Sequence, residues 1–390
     1  MANHSAPLLS LEKQAVIRLS LIMGVRMLGL FMVLPVLSLS APQFNAASPQ
    51  LIGLAIGIYG LFQAFFQLPC GLLSDRFGRK PIIYLGLILL LIGSLIAANA
   101  QSIYTLIMGR GLQGCGAVGA TLMAYLSDLT RPQVRTRAMA IMGASIGFSF
   151  IFAFIIGPLI YQRSHLSGVF YLTALLSVVA AFLTHTLPEA PLNHYLTGWR
   201  LAFKHIFSHA QIRRLFFSVL CLHALMSASF IHLPAHLSSL TNWPPSWIYS
   251  LSLIIAIMLI TPFFRQSEKK ENKKIFVTTV ALVGASALAL LSLNSLIGFF
   301  LAMVVFFAAF CLLEAWLPAL TANYASEGFR GATLGAFSTC QFLGIFLGGT
   351  IGGFILENGG LKGLQLSCLV LLLCWLASIK NFTLPKLERG

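Results

Sequence analysis

A chain of 390 residues in which 58% are hydrophobic and only 9% charged cannot use water as its main solvent, which excludes an ordinary soluble domain. The net charge of +15 would suit nucleic acid, but its placement assigns it to loops at one membrane face and leaves nucleic acid without a role. Unbroken apolar runs of about 18 to 25 residues, rather than short alternating ones, exclude a membrane barrel of strands.

Twelve such runs are each long enough to cross the hydrocarbon core as a helix. They cover 16–40, 50–72, 81–99, 102–126, 137–161, 168–187, 214–237, 246–264, 275–293, 296–320, 330–356 and 361–382. With both termini cytoplasmic, nearly all of the 25 Lys and Arg residues fall in inner loops and ends. Only Arg163 and Lys362 fall outside, and Arg26 and Arg110 lie within spans. This asymmetry predicts a multi-pass protein of the cell inner membrane with both termini cytoplasmic. Arg26 also interrupts the apolar core that a cleaved signal peptide would need. The seven cysteines sit in or at the ends of spans, so neither disulfides nor a zinc site are expected.

The longest polar stretch, 188–213, separates six spans from six. The expected organisation is an N-terminal bundle (1–187), a cytoplasmic linker (188–213), a C-terminal bundle (214–382) and a short cytoplasmic tail (383–390). Within the linker, "GWRLAFKHIFSHAQIRRLFF" sets basic and apolar residues at helical spacing and predicts an interfacial helix. A displacement of about 195 residues brings the charged loop 73–80 onto the basic loop 265–274, and the glycine-rich fifth span onto the eleventh. The predicted fold is an all-α membrane protein of twelve transmembrane helices in two pseudo-symmetric six-helix bundles.

Between spans two and three lies "GLLSDRFGRKPII", residues 71–83. Gly71 permits close backbone approach, Gly78 permits a turn, and Arg76, Arg79 and Lys80 hold the loop inside. Asp75 is placed to cap a helix or to pair with an arginine, in one conformation and not another; a plain hydrophilic turn is the alternative. In span four, "GCGAVG" satisfies a nucleotide-binding pattern, but with no preceding strand its glycines are better read as helix contacts. Gly344, Gly348 and Gly352 line one face of span eleven in the same way.

Two His-x-x-x-His pairs, His205 with His209 and His232 with His236, fall near opposite membrane faces and lack neighbouring carboxylates. A shared metal is therefore not expected, and with it a membrane-embedded metal enzyme. The sequence has no ATP-binding loop, so no cofactor is expected and an ion gradient is the energy source.

Four ionisable residues lie within spans: Arg26 (one), Arg110 (four), His223 (seven) and Glu314 (ten). Such residues are costly in lipid and mark function by default. Glu314 is the strongest proton carrier, because desolvation favours the neutral form of a carboxyl, and Arg26 is its expected counter-charge. Arg110 divides between a structural tie and a coupling role.

The loop 71–83 resembles the signature of the major facilitator superfamily, Gly-x-x-x-Asp-x-x-Gly-Arg-Lys/Arg, at Gly71, Asp75, Gly78, Arg79 and Lys80. "LIMGRGLQGCGAV" resembles its second pattern at Arg110, Gln113, Gly114 and Gly116. Gly143, Gly147, Gly157 and Pro158 partly match its antiporter pattern, although "LIYQ" replaces the Gly-Gly that should follow. Both halves resemble the YajR-type branch of proton-linked drug-efflux carriers, at "RMLGLFMVLPVL", "SDLT", "CLH", "LEAWLPAL" and "STCQFLGIFLGGTIGG". Some members of that branch carry a soluble C-terminal domain, which is not expected here.

The resemblance implies alternating access. It also implies a cytoplasmic lock in which Asp75 contacts the start of helix eleven and Arg79 meets Asp128 at the end of helix four. The second-half loop "RQSEKKENKK" lacks the glycines and acid of a faithful repeat, so the lock is one-sided. Spans one, four, seven and ten would line the cavity, offering Met27, Phe31, Met123, Tyr125, Met226, Phe230, Phe306, Phe307, Phe310 and Trp316. An apolar, methionine- and aromatic-lined cavity with one acid suits amphipathic, often cationic compounds. Expected partners are the lipid bilayer, a small-molecule substrate and protons, for a monomer. Efflux by proton antiport is the expected activity, with proton-coupled uptake of a metabolite as the alternative.

Overall fold

The computed structural model describes residues 7–189, 208–267, 273–325 and 330–383. The body of the expected linker helix with His205, the centre of the loop 265–274 and the tail beyond 383 lie outside the described residues.

Eleven α-helices are present among the described residues. In the first half they are α1 (Ser10–Phe31), α2 (Pro49–Phe77), α3 (Arg79–Ala98), α4 (Ile103–Cys115), α5 (Gly119–Asp128) and α6 (Pro132–His185). In the second they are α7 (Ala210–Leu240), α8 (Pro245–Ser267), α9 (Lys273–Leu290), α10 (Leu296–Tyr324) and α11 (Arg330–Ile379). Among the described residues, eight helices are long and apolar enough to cross a membrane.

A helix of 54 residues would be far longer than the roughly 30 Å of hydrocarbon, and α6 is not one rod. His165, at φ 54° and ψ −163°, reverses it. Gly157 lies against Met32 at the end of α1, whereas Thr186 accepts a hydrogen bond from Arg18 near its start, so the chain goes out beside α1 and returns. Gly360, at φ 61° and ψ −167°, reverses α11 in the same manner. With α4 and α5 forming one broken span, the described residues make twelve crossings, six in each half, with the all-α architecture the hydropathy predicts.

Two boundaries differ from expectation. Span one runs over 10–31 rather than 16–40, because Glu12 folds back to accept the Leu9 N–H at 2.8 Å and so starts the helix early. Beyond Phe31 the chain enters turns around Pro35, which has no N–H for the ladder, and then a short 3-10 helix over Ser38–Gln43. Span four is interrupted between Cys115 and Gly119, where Gly116 comes so close to the Gly86 carbonyl that an added Cβ would stand 2.4 Å away.

The halves repeat at residue level with an offset of about 195 positions. Arg18 donates to the carbonyl of Thr186 at 2.5 Å, and Arg214 to that of Asn381 at 2.6 Å, each a cation at the C-terminal end of its half's last helix. Gly157 abuts Met32 in one half as Gly352 abuts Ala228 in the other, and the reversals at His165 and Gly360 hold the same relation. The side carrying Arg18, Arg79, Arg131 and Arg214 is the basic face; the opposite side is the far face.

Close backbone contact sets the packing. A Cβ on Gly344, Gly348 or Gly352 would stand 2.3, 2.1 or 2.9 Å from Leu220, Ala224 or Ala228 of α7. Gly348→Leu is expected to cost about 1–3 kcal/mol or more by overpacking. Thermal melting of the purified protein checks this, and Gly143→Ala, whose Cβ meets nothing within 4 Å, should melt like the parent.

Candidate functional site

At the basic face, α2 ends on Gly78, whose φ of 94° is a conformation L side chains rarely adopt, and α3 begins at once with Arg79. Arg79 is the hub of this corner. Its Nη1 lies 2.5 Å from Asp75 Oδ1 and 2.7 Å from Ser74 Oγ, and its Nε lies 2.8 Å from Asp128 Oδ2. Arg79 and Asp128 are largely buried, with side chains 12% and 17% exposed, while Asp75 is 42% exposed. The end of α2 is thereby tied to the end of α5. Ser74 was not anticipated; its place one residue before the acid is the only sequence signal.

Among the described residues Lys80 reaches the exposed Glu189, at 3.7 Å, a contact of little energetic weight. Gly71 meets nothing closer than the Ala120 Cβ at 3.6 Å, so no close backbone approach requires glycine there. The expected contact of Asp75 with the start of span eleven falls where residues 326–329 lie outside the described residues. Beside the hub, Glu12 is held by Arg131, with Nε to Oε1 at 2.8 Å and Nη2 to Oε2 at 3.0 Å.

Arg110 sits inside the N-terminal half, 1% exposed. It donates through Nε to the Ala55 carbonyl at 3.3 Å and through Nη1 to Gln113 Oε1 at 2.8 Å, and it lies 4.8 Å from the Tyr59 ring. Gln113 in turn donates to Ser94 Oγ at 2.7 Å. Gly114 packs on the Tyr59 carbonyl and Gly116 on that of Gly86. These residues tie α4 to α2 and α3, a structural use of the second motif.

The expected pairing of Arg26 with Glu314 is not made. Arg26 is 1% exposed, and its Nη1 and Nη2 have no hydrogen-bond partner among the described residues. Glu314 is engaged elsewhere. Gln341 Nε2 donates to Glu314 Oε1 at 3.0 Å and lies 2.8 Å from His223 Nε2. His223 Nε2 lies 3.5 Å from Glu314 Oε2, and its Nδ1 is 3.0 Å from the Val219 carbonyl. A carbonyl only accepts, so Nδ1 carries hydrogen and Nε2 is the bare nitrogen of the neutral ring.

His223 is fully buried, whereas the Glu314 side chain is 19% exposed. Gln341 was missed, because an uncharged residue in a glycine-rich span gives no signal until the fold sets it between an acid and an imidazole. About 195 positions earlier, the first half carries Met27 and Ile146 where the second has His223 and Gln341, so the cluster belongs to one half alone.

The cavity residues named from the sequence divide. Phe31, Phe230 and Phe310 are at most 2% exposed and join Phe150, Phe154 and Phe307 in an aromatic plug. Phe150 is 5.2 Å from Phe31 and 4.9 Å from Phe310, and Phe154 is 5.2 Å from Phe230 and from Phe307, all as ring centroids. Span five thus supplies the plug's centre, which the expectation of spans one, four, seven and ten omitted. Tyr125 is fully buried with its hydroxyl donating to the Pro188 carbonyl, and Met226 is fully buried, so neither lines open space in this conformation. Met27 is 6% exposed, and Met123 and Trp316 are half-buried. Phe306 packs 5.9 Å from Phe310. Pro158 lies within α6 next to the Gly157 contact. His232 and His236 stack at 5.3 Å, with His236 bonded to the Leu293 carbonyl.

The family model described as Major Facilitator Superfamily matches residues 19–348. The inner membrane transport protein YajR of Escherichia coli is 39% identical over 96% of this chain and 84% of its own length. The multidrug resistance protein MdtH of Aeromonas salmonicida is 27% identical over 83% of this chain and 82% of its own. Among solved structures, a bacterial homolog of the human lysosomal transporter Spinster, in an inward-facing and occupied conformation, aligns with a TM-score of 0.74 at 16% identity. That alignment covers 94% of this chain and 96% of the other.

Removing the charge opposite Arg79 with Asp128→Asn is expected to cost about 1–3 kcal/mol. Asp75→Asn, at the more exposed partner, should cost less; the two melting temperatures decide.

Proposed function

The chain belongs to the major facilitator superfamily of secondary transporters, and on that premise we propose that it is an inner-membrane antiporter exchanging protons for small amphipathic compounds by alternating access. The basic face is cytoplasmic, as the positive-inside rule requires. The observation that carries the reading is the Glu314–Gln341–His223 cluster, an acid and a base 3.5 Å apart inside a membrane helix bundle. The name of the relative MdtH, a multidrug resistance protein, supports efflux, and that of YajR supports the inner membrane.

The cluster can hold one proton in two ways. A proton reaching Glu314 rests on the acid while Gln341 donates to the bare Nε2 of His223, or on the ring once the Gln341 amide turns to offer its oxygen to the new Nε2–H. Either form leaves the cluster without net charge. When the proton leaves, a carboxylate remains one helical turn from Phe310, and acid and ring together offer a cation-attracting surface for an amphipathic substrate. Proton and substrate therefore compete for Glu314, which is the condition for exchange.

The position of the cluster gives it access. Along α10 the plug residues Phe306, Phe307 and Phe310 come first from the far face, and Glu314 follows one turn nearer the basic face. With the plug closed, Glu314 exchanges towards the cytoplasm; opening of the far side would present it to external protons.

In proteoliposomes under an imposed pH gradient, lipophilic cations are expected to drive proton flux that Glu314→Gln reduces at least about tenfold, a coupling loss of the size general acid–base groups carry. Gln341→Leu should retain transport but shift its pH profile. Unchanged pH dependence in Glu314→Gln would remove Glu314 as the proton site.

A further inference from the structure

Among the described residues, the hydrogen bonds and ring contacts between the halves lie at the plug, at Tyr59 with Phe342 and at the far face, and two of those at the far face form a related pair. At the start of α2, Ser48 is the N-cap and Pro49 brings no N–H, so the Gln50 N–H is the first donor needing a partner. That partner comes from the other half. Glu357 Oε2, near the end of span eleven, accepts from Gln50 N at 2.9 Å and from Ser48 Oγ at 2.6 Å. The Ser48 hydroxyl also accepts from Leu51 N at 3.3 Å, so a carboxylate of one half completes the helix cap of the other.

About 195 positions away the pattern recurs with the halves exchanged. Gln162, near the end of span five, donates through Nε2 to Ser246 Oγ, at the start of α8, at 2.8 Å. Span five meets span eight as span eleven meets span two. The pair differs in charge, because Glu357 is ionic and Gln162 is neutral.

Below the ionic contact the two helices meet backbone to backbone. A Cβ on Gly53 would stand 2.2 Å from the Gly349 carbonyl, on Gly57 2.8 Å from that of Phe346, and on Gly60 2.5 Å from that of Phe342. Gly353 completes the seam against Pro49. A seam held by backbone proximity separates as a unit once its end is released, and Glu357, exposed to water at that end, can trade its partners for solvent.

We propose that Ser48–Glu357 and Gln162–Ser246 form a two-point latch that holds the far face shut, the ionic point setting how easily it opens. The proposal rests on the alternating-access reading, since a carrier must break both contacts each time it opens outward. The Arg79 hub ties spans within one half at the basic face, whereas this latch joins the halves.

The test is a distance distribution by pulsed electron spin resonance on the full chain in lipid, with native cysteines replaced and labels at Gln101 and Trp243. Both sites lie in far-face turns, one in each half. The parent should give mainly the short distance. Glu357→Ala should raise the long-distance fraction severalfold, Glu357→Gln should raise it less, and Glu357→Ala with Gln162→Ala should raise it most. An unchanged distribution in the double variant, with melting behaviour retained, would overturn the latch. The readout needs neither substrate nor proton gradient, so it stands or falls apart from the antiport assignment.

Discussion

Inside hydrocarbon a helix gains nothing by hiding apolar surface from lipid, so helices hold together where backbones approach closely or polar groups bond across. Span eleven is where this constraint is met twice. One row of its glycines, Gly344, Gly348 and Gly352, lies on α7; another, Gly349 and Gly353, lies on α2. A helix fixed on both sides has its remaining side chains aimed by geometry alone. Gln341 then falls between His223 and Glu314, and Glu357 falls over the cap of α2. The cluster and the closure of the far face follow from the same pair of glycine rows.

Polar residues in the membrane are divided between the halves. The first spends Arg110, Gln113 and Ser94 on tying its own helices together, with a cation resting on the Tyr59 ring. The second places an acid, an amide and an imidazole where a proton can be held. A duplicated fold can work this way because each copy supplies the same helix positions and only the side chains differ. Arg26 stands apart from both sets, a buried cation whose terminal nitrogens have no protein partner among the described residues.

Hydropathy made the number and order of spans legible, because the hydrocarbon imposes a length that no other environment does. The turn at Gly78 was legible too, since a positive φ calls for glycine, and the contact of Arg79 with Asp128 is present where the resemblance implied it. The rest depended on rotation about helix axes, which uniformly apolar spans do not reveal. Phe31, Phe230 and Phe310 turn into a plug, Tyr125 turns towards Pro188, and Arg26 turns away from Glu314, though each sits on a span expected to face the cavity. Gln341, Phe150 and Glu357 escaped because their importance lies in partners on other helices, 27 and 118 residues away for Gln341 and 309 for Glu357. Span one was misjudged at both ends, since hydropathy registers neither the Glu12 cap nor the break at Pro35.

The central claim is that Glu314 takes and releases a proton against His223, with Gln341 holding the pair. Infrared difference spectroscopy of the protein in lipid, stepped through pH, reads this without a substrate. The account predicts a protonated-carboxyl band that titrates, vanishes in Glu314→Gln and shifts in frequency in Gln341→Leu. A titrating band that persists unaltered in Glu314→Gln would contradict it and move the proton to another group.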